Sequence, residues 1–311
     1  MSSGSYDPLG GSMRGKEKSP GRGRNVGLWI LAFVLMLSAG VYQRYTGPTY
    51  KLRGSYSVGE SVVKYRLVRS AYSTGDTVVS IPAAADVTGD LVYRRYPTDD
   101  EFTRVPMQRR GDELVGTLPA QPPAGKLEYH LELATVTGPV VAPDTGENAV
   151  IRFKGWVPAW VLILHVAFMF FGVLVAWRVG LGALFSGQGI RKLSWAALIL
   201  FTVGGFFLGP WVQKYAFDDW WTGVPFGWDL TDNKTLVMWL AWFFALLVTY
   251  RGARRDADGG SAGEKKARLA VVIAAVVTVA VYLIPHSMAG SQLDYDAVDR
   301  GVAPEDAIGV G

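Results

Sequence analysis

The chain contains no cysteine. That absence excludes disulfides, thiolate-ligated zinc, iron–sulfur clusters and covalently attached c-type haem. A domain displayed outside the cytoplasm must therefore stand on its hydrophobic core alone. Histidine is nearly as scarce, with 3 in 311 residues. Within the apolar runs identified below, His165 is the one ionisable side chain between the ends. Ion pumps and proton-coupled transporters bind and release charge on carboxylates or bases inside the membrane, and these runs offer them almost nothing. Paired aspartates for intramembrane proteolysis, a phosphate-cradling glycine loop, a nucleophile elbow and a metal-binding helix motif are missing as well.

Half of the residues are hydrophobic, yet the mean hydropathy is only +0.18, so apolar runs must alternate with a polar domain. The length fits about two domains. Residues 26–42, 156–177, 193–212, 235–250 and 269–284 reach or approach the roughly 17–25 residues needed to cross a bilayer. The first could instead be a signal peptide, because Ser38-Ala39-Gly40 supplies the small residues that cleavage requires. The apolar run continues through Val41 and Tyr42, which favours a membrane anchor at 26–43.

Lys and Arg collect on the cytoplasmic side of membrane proteins. Arg14, Lys16, Lys18, Arg22 and Arg24 precede the first span, and Arg178, Arg191 and Lys192 follow the second. Arg251, Arg254, Arg255, Lys265, Lys266 and Arg268 follow the fourth. Lys214, Lys234 and Arg300 are the basic residues of the opposite loop and tail. This pattern predicts an inner-membrane protein with its N-terminus cytoplasmic and its C-terminus extracytoplasmic. The pI near 9.1 then reflects topology and points to lipid rather than nucleic acid.

The arm at 1–25 has little to bury and reads as disordered. Residues 46–154 read as short strands at 62–68, 77–81, 90–96, 102–107, 113–118, 126–133, 139–142 and 149–153. Turn residues such as Ser73-Thr74-Gly75-Asp76 and Pro122-Pro123-Ala124-Gly125 separate them. Strands of this length and spacing predict an antiparallel sandwich. Leu127, Tyr129, Leu131 and Leu133 share one face; Glu128, His130 and Glu132 share the other. Such a triplet could ligate a metal, although a solvated face is its ordinary use. The stretch LVYRRYPTDDEFTRVPM, followed by ELVGTLPAQPPAGKLEYHLEL, resembles immunoglobulin-like or fibronectin-III-like modules of bacterial envelope proteins. The resemblance implies a periplasmic or extracellular fold and carries no activity.

The expected architecture is thus mixed: an all-α bundle of five spans and an all-β immunoglobulin-like sandwich. Residues 156–285 form a four-helix unit whose small residues (Gly172 and Ala176, Gly205 and Gly209, Ala270, Ala274 and Thr278) allow close helix approach. Gly209-Pro210 is expected to end or kink the third helix. The loop Gly259-Gly260-Ser261-Ala262-Gly263 reads as a flexible connector.

Residues 211–234, WVQKYAFDDWWTGVPFGWDLTDNK, join two spans at a membrane surface. Aromatic rings with polar edges favour the headgroup layer and also anchor protein interfaces. Gly223, Pro225 and Gly227 set turns among them. Asp218, Asp219, Trp220, Trp221, Phe226, Trp228 and Asp229 are the candidate partner-binding residues, with Asp232 expected to cap the fourth span. His286 and Ser287, at the start of the tail 286–311, are expected to approach Asp229 and Asp232. GWDLTDNKTL paired with IPHSMAGSQLDY resembles an uncharacterised group of bacterial polytopic membrane proteins with an extracytoplasmic immunoglobulin-like domain, and no activity follows from it.

His165 has two readings. It can hydrogen-bond a neighbouring helix, or serve as an axial ligand of haem b with His286 as the second ligand. The depths oppose that pairing, because His286 follows the end of its helix. The expected function is a non-enzymatic structural or accessory subunit with no cofactor. It would contact the bilayer and dock another envelope or membrane protein through its sandwich and aromatic loop. The alternative is a small b-type cytochrome or quinone-interacting subunit of a membrane redox complex.

Overall fold

The computed structural model describes residues 22–185, 189–256, 262–285 and 290–309. Among these, five helices are long and apolar enough to cross a membrane. The first is α1 (Arg22–Thr46). Residues 22–25 of the expected arm therefore continue the helix, and the rest of the arm lies outside the described residues.

Leu28, Ala32, Met36 and Ala39 bury one stripe of α1. A β-carbon built on Gly40 would lie 3.1 Å from the Phe170 ring. Ala39 and Gly40 of the apparent cleavage site are thus packing residues, Gly40 set against the helix that carries Phe170.

That helix is α2 (Ala159–Phe185). It overruns its apolar segment, so Arg178 is a buried residue of α2 that donates to Asn25 and sits over the Trp29 ring. The third span is composite. It runs through α3 (Ile190–Phe201), a π-helical stretch (Thr202–Leu208) and α4 (Gly209–Phe217). The fourth and fifth spans are α5 (Leu230–Asp256) and α6 (Ala262–Leu283). Ala262 and Gly263 of the expected connector belong to α6; residues 257–261 lie outside the described set.

Small residues set the helix spacing. A β-carbon on Gly172 would meet the Phe201 ring at 2.8 Å, and one on Gly180 would meet Ala275 at 2.6 Å. Trp242 of α5 is fully buried and donates through Nε1 to Thr278 of α6 at 2.8 Å. Its indole N–H is therefore satisfied inside an apolar core.

Between α1 and α2 lie β1 (Leu52–Val58), β2 (Ser61–Leu67), β3 (Ser70–Tyr72), β4 (Thr77–Pro82), β5 (Thr88–Arg95) and β6 (Thr103–Pro106). β7 (Gln108–Arg110), β8 (Glu113–Leu118), β9 (Lys126–Thr135), β10 (Gly138–Ala142) and β11 (Ala149–Lys154) follow. One sheet has the order β3-β11-β9-β5-β6, with β10 also pairing β9; β4-β8-β7 and β1-β2 form two others. All strand pairs within this domain are antiparallel except β3 with β11. One core joins the three sheets, with Tyr56 and Tyr65 from the first pair, Ile81 and Leu118 from the second sheet, and Leu91, Tyr129 and Phe153 from the largest. The sequence pattern did not mark β1, β3 and β7, because Gly54, serines and exposed arginines interrupt any apolar alternation.

Alternation along β9 is regular. Leu127, Tyr129, Leu131 and Leu133 are buried. On the opposite face Glu128 binds Arg94 at 2.6 Å and Asn148 at 2.7 Å, and Glu132 accepts from Arg104 at 2.9 Å. Both carboxylates are thereby engaged by arginine.

Beyond α6 the tail folds as β12 (Gln292–Leu293), α7 (Tyr295–Asp299) and β13 (Ile308–Gly309), and returns to the β domain. Lys126 Nζ donates to Gln292 at 2.7 Å, and Tyr295 Oη donates to the Lys126 carbonyl at 2.9 Å. The Arg95 fork grips both Asp299 oxygens at 2.8 Å. The β domain and the tail therefore sit on the same side of the helices, separated in sequence by the four spans from α2 to α6.

Candidate functional site

The third span carries the first departure from regular geometry. A proline ring collides with the carbonyl four residues earlier in an α-helix and cannot donate to it. Here the π-helical stretch ends at Leu208, two residues before Pro210, and the wider turn lets the helix continue. Pro210 thus neither ends the helix nor begins the loop. His165 of α2 lies 2.8 Å from the Gly204 carbonyl through Nδ1. A carbonyl only accepts, so Nδ1 carries the proton and Nε2 is left as the acceptor.

Helix α4 ends at Asp218, whose φ of 63° is left-handed. Lys214 Nζ bridges to Asp218 Oδ1 at 2.6 Å, and Asp219 Oδ1 accepts from the Trp220 amide at 2.6 Å. Residues 211–217 and 230–234 of the aromatic stretch are helical, so the connection proper is 218–229.

That connection closes over a buried polar cluster. Asp229, rather than Asp232, caps α5: its Oδ1 accepts from the Thr231 and Asp232 amides at 2.7 and 3.2 Å. Its Oδ2 accepts from the Ser291 amide at 3.0 Å, which ties in the tail. Asp232 Oδ2 accepts from the Thr222 amide at 2.7 Å. With its amide oriented to satisfy the network, Gln213 of α4 donates to both Asp232 oxygens at 2.9 and 3.0 Å and accepts from Thr222 Oγ1 at 2.6 Å. Lys234 donates to the Ile284 carbonyl at the end of α6, where a cation is favourable.

The β domain supplies Arg152. Its guanidinium donates to the Ser291 carbonyl and lies 4.0 Å over the Phe217 ring. Burial pushes this group down to about 10, against the pull of the Asp229 carboxylate. Next to it, burial and then the Arg152 charge push Lys126 down to about 8. The Gly155 amide donates to the Ala216 carbonyl at 2.8 Å, and the lack of a side chain lets the strand end approach α4.

Arg152, His165, Gln213, Phe217, Asp229 and Asp232 line a cavity of about 160 Å³. Drug-sized ligands occupy roughly 300–1,000 Å³. The space beside His165 is too small for a porphyrin, so the residues present do not fit haem b. His286, the other proposed ligand, lies outside the described residues, as does Ser287.

The candidate aromatic residues divide. Trp221 stacks on Phe206 at 5.4 Å and belongs to the packing of the third span. Trp220, Phe226 and Trp228 are 52%, 77% and 75% exposed. Asp229 is buried inside the cluster, Asp218 closes the end of α4, and Asp219 accepts from the Trp220 amide in the connection.

Arg152, Gln213, Thr222, Lys234 and Ser291 were not singled out from sequence. Arg152 looks like a solvated position in the alternation of AVIRFK; it does point away from the β core, but towards the membrane helices. A glutamine one turn beyond a Gly-Pro pair in an apolar span was the only available hint.

No family model matches the chain, and the search of curated proteins finds no match. Among the described residues, the fold defines five helices able to cross a membrane and several β-sheets held against one end of them.

Proposed function

We propose that this protein is a non-enzymatic accessory subunit of a bacterial cytoplasmic membrane, presenting a rigid docking platform to an envelope partner. One observation carries the reading. The buried network Arg152–Ser291–Asp229 and Gln213–Asp232–Thr222 ties the β domain, the aromatic connection and the tail together, while Trp220, Phe226 and Trp228 remain outside. Fixing a platform in advance removes the ordering cost of binding, and exposed aromatics are favoured anchors. Lipid anchoring alone would also use such rings, so the test must separate the two.

The basic residues at the adjoining ends of the helices, Arg191 and Lys192 of α3, Arg251, Arg254 and Arg255 of α5 and Lys265, Lys266 and Arg268 of α6, support a cytoplasmic N-terminus, with the β domain and tail extracytoplasmic. The antiparallel pairing and the single shared core support reading the β domain as an immunoglobulin-like sandwich.

Photo-crosslinkers placed at Phe226 and Trp228 in intact cells should yield discrete protein adducts, with none at the exposed β4 residue Val78. Adducts to lipid alone would reject the platform and leave the rings as membrane anchors.

A further inference from the structure

We infer that the cleft where α1 leaves the membrane and meets the β domain is a binding site for the phosphate headgroup of an anionic phospholipid. The cleft has a volume of about 430 Å³ and is lined by Arg44, Lys51, Arg53, Arg66, Arg69 and Lys154, with no carboxylate in its wall. None of these cations forms an ion pair among the described residues. On the largest sheet, by contrast, Arg94, Arg95 and Arg104 are each paired with Asp or Glu.

Like charges gathered this closely repel one another, and the local contacts offset that only in part. Arg44 and Arg53 flank the Tyr50 ring at 5.5 and 5.1 Å from its centroid, and Lys154 faces Tyr72 at 5.3 Å. Arg69 Nε is buried with no hydrogen-bond partner. A buried unsatisfied donor is unfavourable until an acceptor reaches it. A phosphate supplies negative charge and several acceptor oxygens, and guanidinium groups match that geometry.

Position selects the lipid as the source of the phosphate. Arg44 lies in the last turn of α1, and Lys154 precedes the start of α2 at Ala159. Tyr42, Tyr45, Trp156 and Trp160 are exposed around the same level, where amphipathic rings mark the headgroup layer. Below the cleft, Leu37 and Val41 of α1 are exposed and offer an apolar track for acyl chains. On the orientation proposed above, these cations run against the usual Lys and Arg asymmetry across α1. A bound anion would neutralise them.

The test uses the full-length protein in nanodiscs of phosphatidylcholine with or without phosphatidylglycerol, and native mass spectrometry of the lipid retained on release. The wild type should retain phosphatidylglycerol in preference to phosphatidylcholine. Arg69→Gln with Lys154→Gln should lower that retention about tenfold or more. The exposed pair Arg44→Gln and Arg53→Gln should also lower it, and serves if the first double variant does not fold. Lys64→Gln, a β2 cation outside the cleft, should leave it unchanged. Equal retention of the two lipids, or equal retention by all variants, would overturn the site. Binding of inorganic phosphate without any lipid preference would overturn the assignment to lipid.

Discussion

The amide of Ser291 donates to Asp229 Oδ2 at 3.0 Å, joining the tail that follows the fifth span to the first turn of the fourth. The same carboxylate caps α5 through its other oxygen. One buried side chain thus closes a loop, starts a helix and holds the tail that returns to the β domain.

Asp229→Ala should therefore lose more than an ordinary cap. The cap is worth about 1 kcal/mol, and the stranded Ser291 donor adds about 1–3 kcal/mol. Asp229→Asn keeps an acceptor and should lie between the two. Thermal unfolding of the detergent-solubilised protein measures the order; an Ala variant as stable as the wild type would contradict this account.

Acid should loosen the tail. Hydrogen bonds from Arg95 hold both the Asp100 and Asp299 carboxyls below the usual carboxylate range. For depressed groups the contribution is complete above the unfolded value, near about 3.9, and is lost as pH falls through the folded values. Protection of the 292–309 amides against hydrogen exchange, taken relative to their intrinsic rates at each pH, should fall below about pH 4. Arg95→Gln should already be loosened at pH 7 and respond less to acid. Protection in this segment that ignores both pH and Arg95 would refute the link.

The aromatic residues should separate on substitution. Trp221→Ala removes the half-buried ring stacked on Phe206 and should lower the unfolding midpoint, at a free-energy cost below the about 3–5 kcal/mol of a fully buried aromatic. Phe226→Ser with Trp228→Ser should leave the midpoint unchanged while abolishing protein adducts from a crosslinker at position 220. The reverse pattern would exchange their roles.

His165→Phe leaves the Gly204 carbonyl without its side-chain donor and should destabilise by about 1–3 kcal/mol, whereas His165→Gln, with an N–H to offer, should recover part of the loss. Protein purified from haem-replete cells should be colourless. A Soret band that disappears in His165→Ala would instead establish a haem site and displace the accessory-subunit reading.

Reporter fusions after Gly259 should score cytoplasmic and those after Asp296 extracytoplasmic. The mature chain should retain Ala32 and Ala39, which pack into the bundle. A mature N-terminus near Val41, or a cytoplasmic Asp296, would overturn the five-span topology.

Membrane spans and regular strands were legible in the sequence because their signals are local. About twenty apolar residues have one economical solution in a bilayer, and alternation along 126–133 sets the two faces of β9 without reference to any partner. The composite third span was legible only in part: Gly209-Pro210 announced a disturbance, but whether a proline ends a helix or widens it depends on what satisfies the freed carbonyls. Here the π-helical turn Thr202–Leu208 precedes Pro210 and the helix continues, with His165, 39 residues before Gly204, bonding the Gly204 carbonyl within that turn.

The site itself was decided by tertiary structure. Asp229 and Asp232 are equivalent as letters, and only the approach of Ser291 and Thr222 makes one the cap and the other the anchor of the loop. Arg152 and Ser291 are 139 residues apart and lie in stretches with no shared pattern. Their pairing follows from both being removed from water where the β domain meets the helices, since a buried polar group must find its partner wherever the chain brings one.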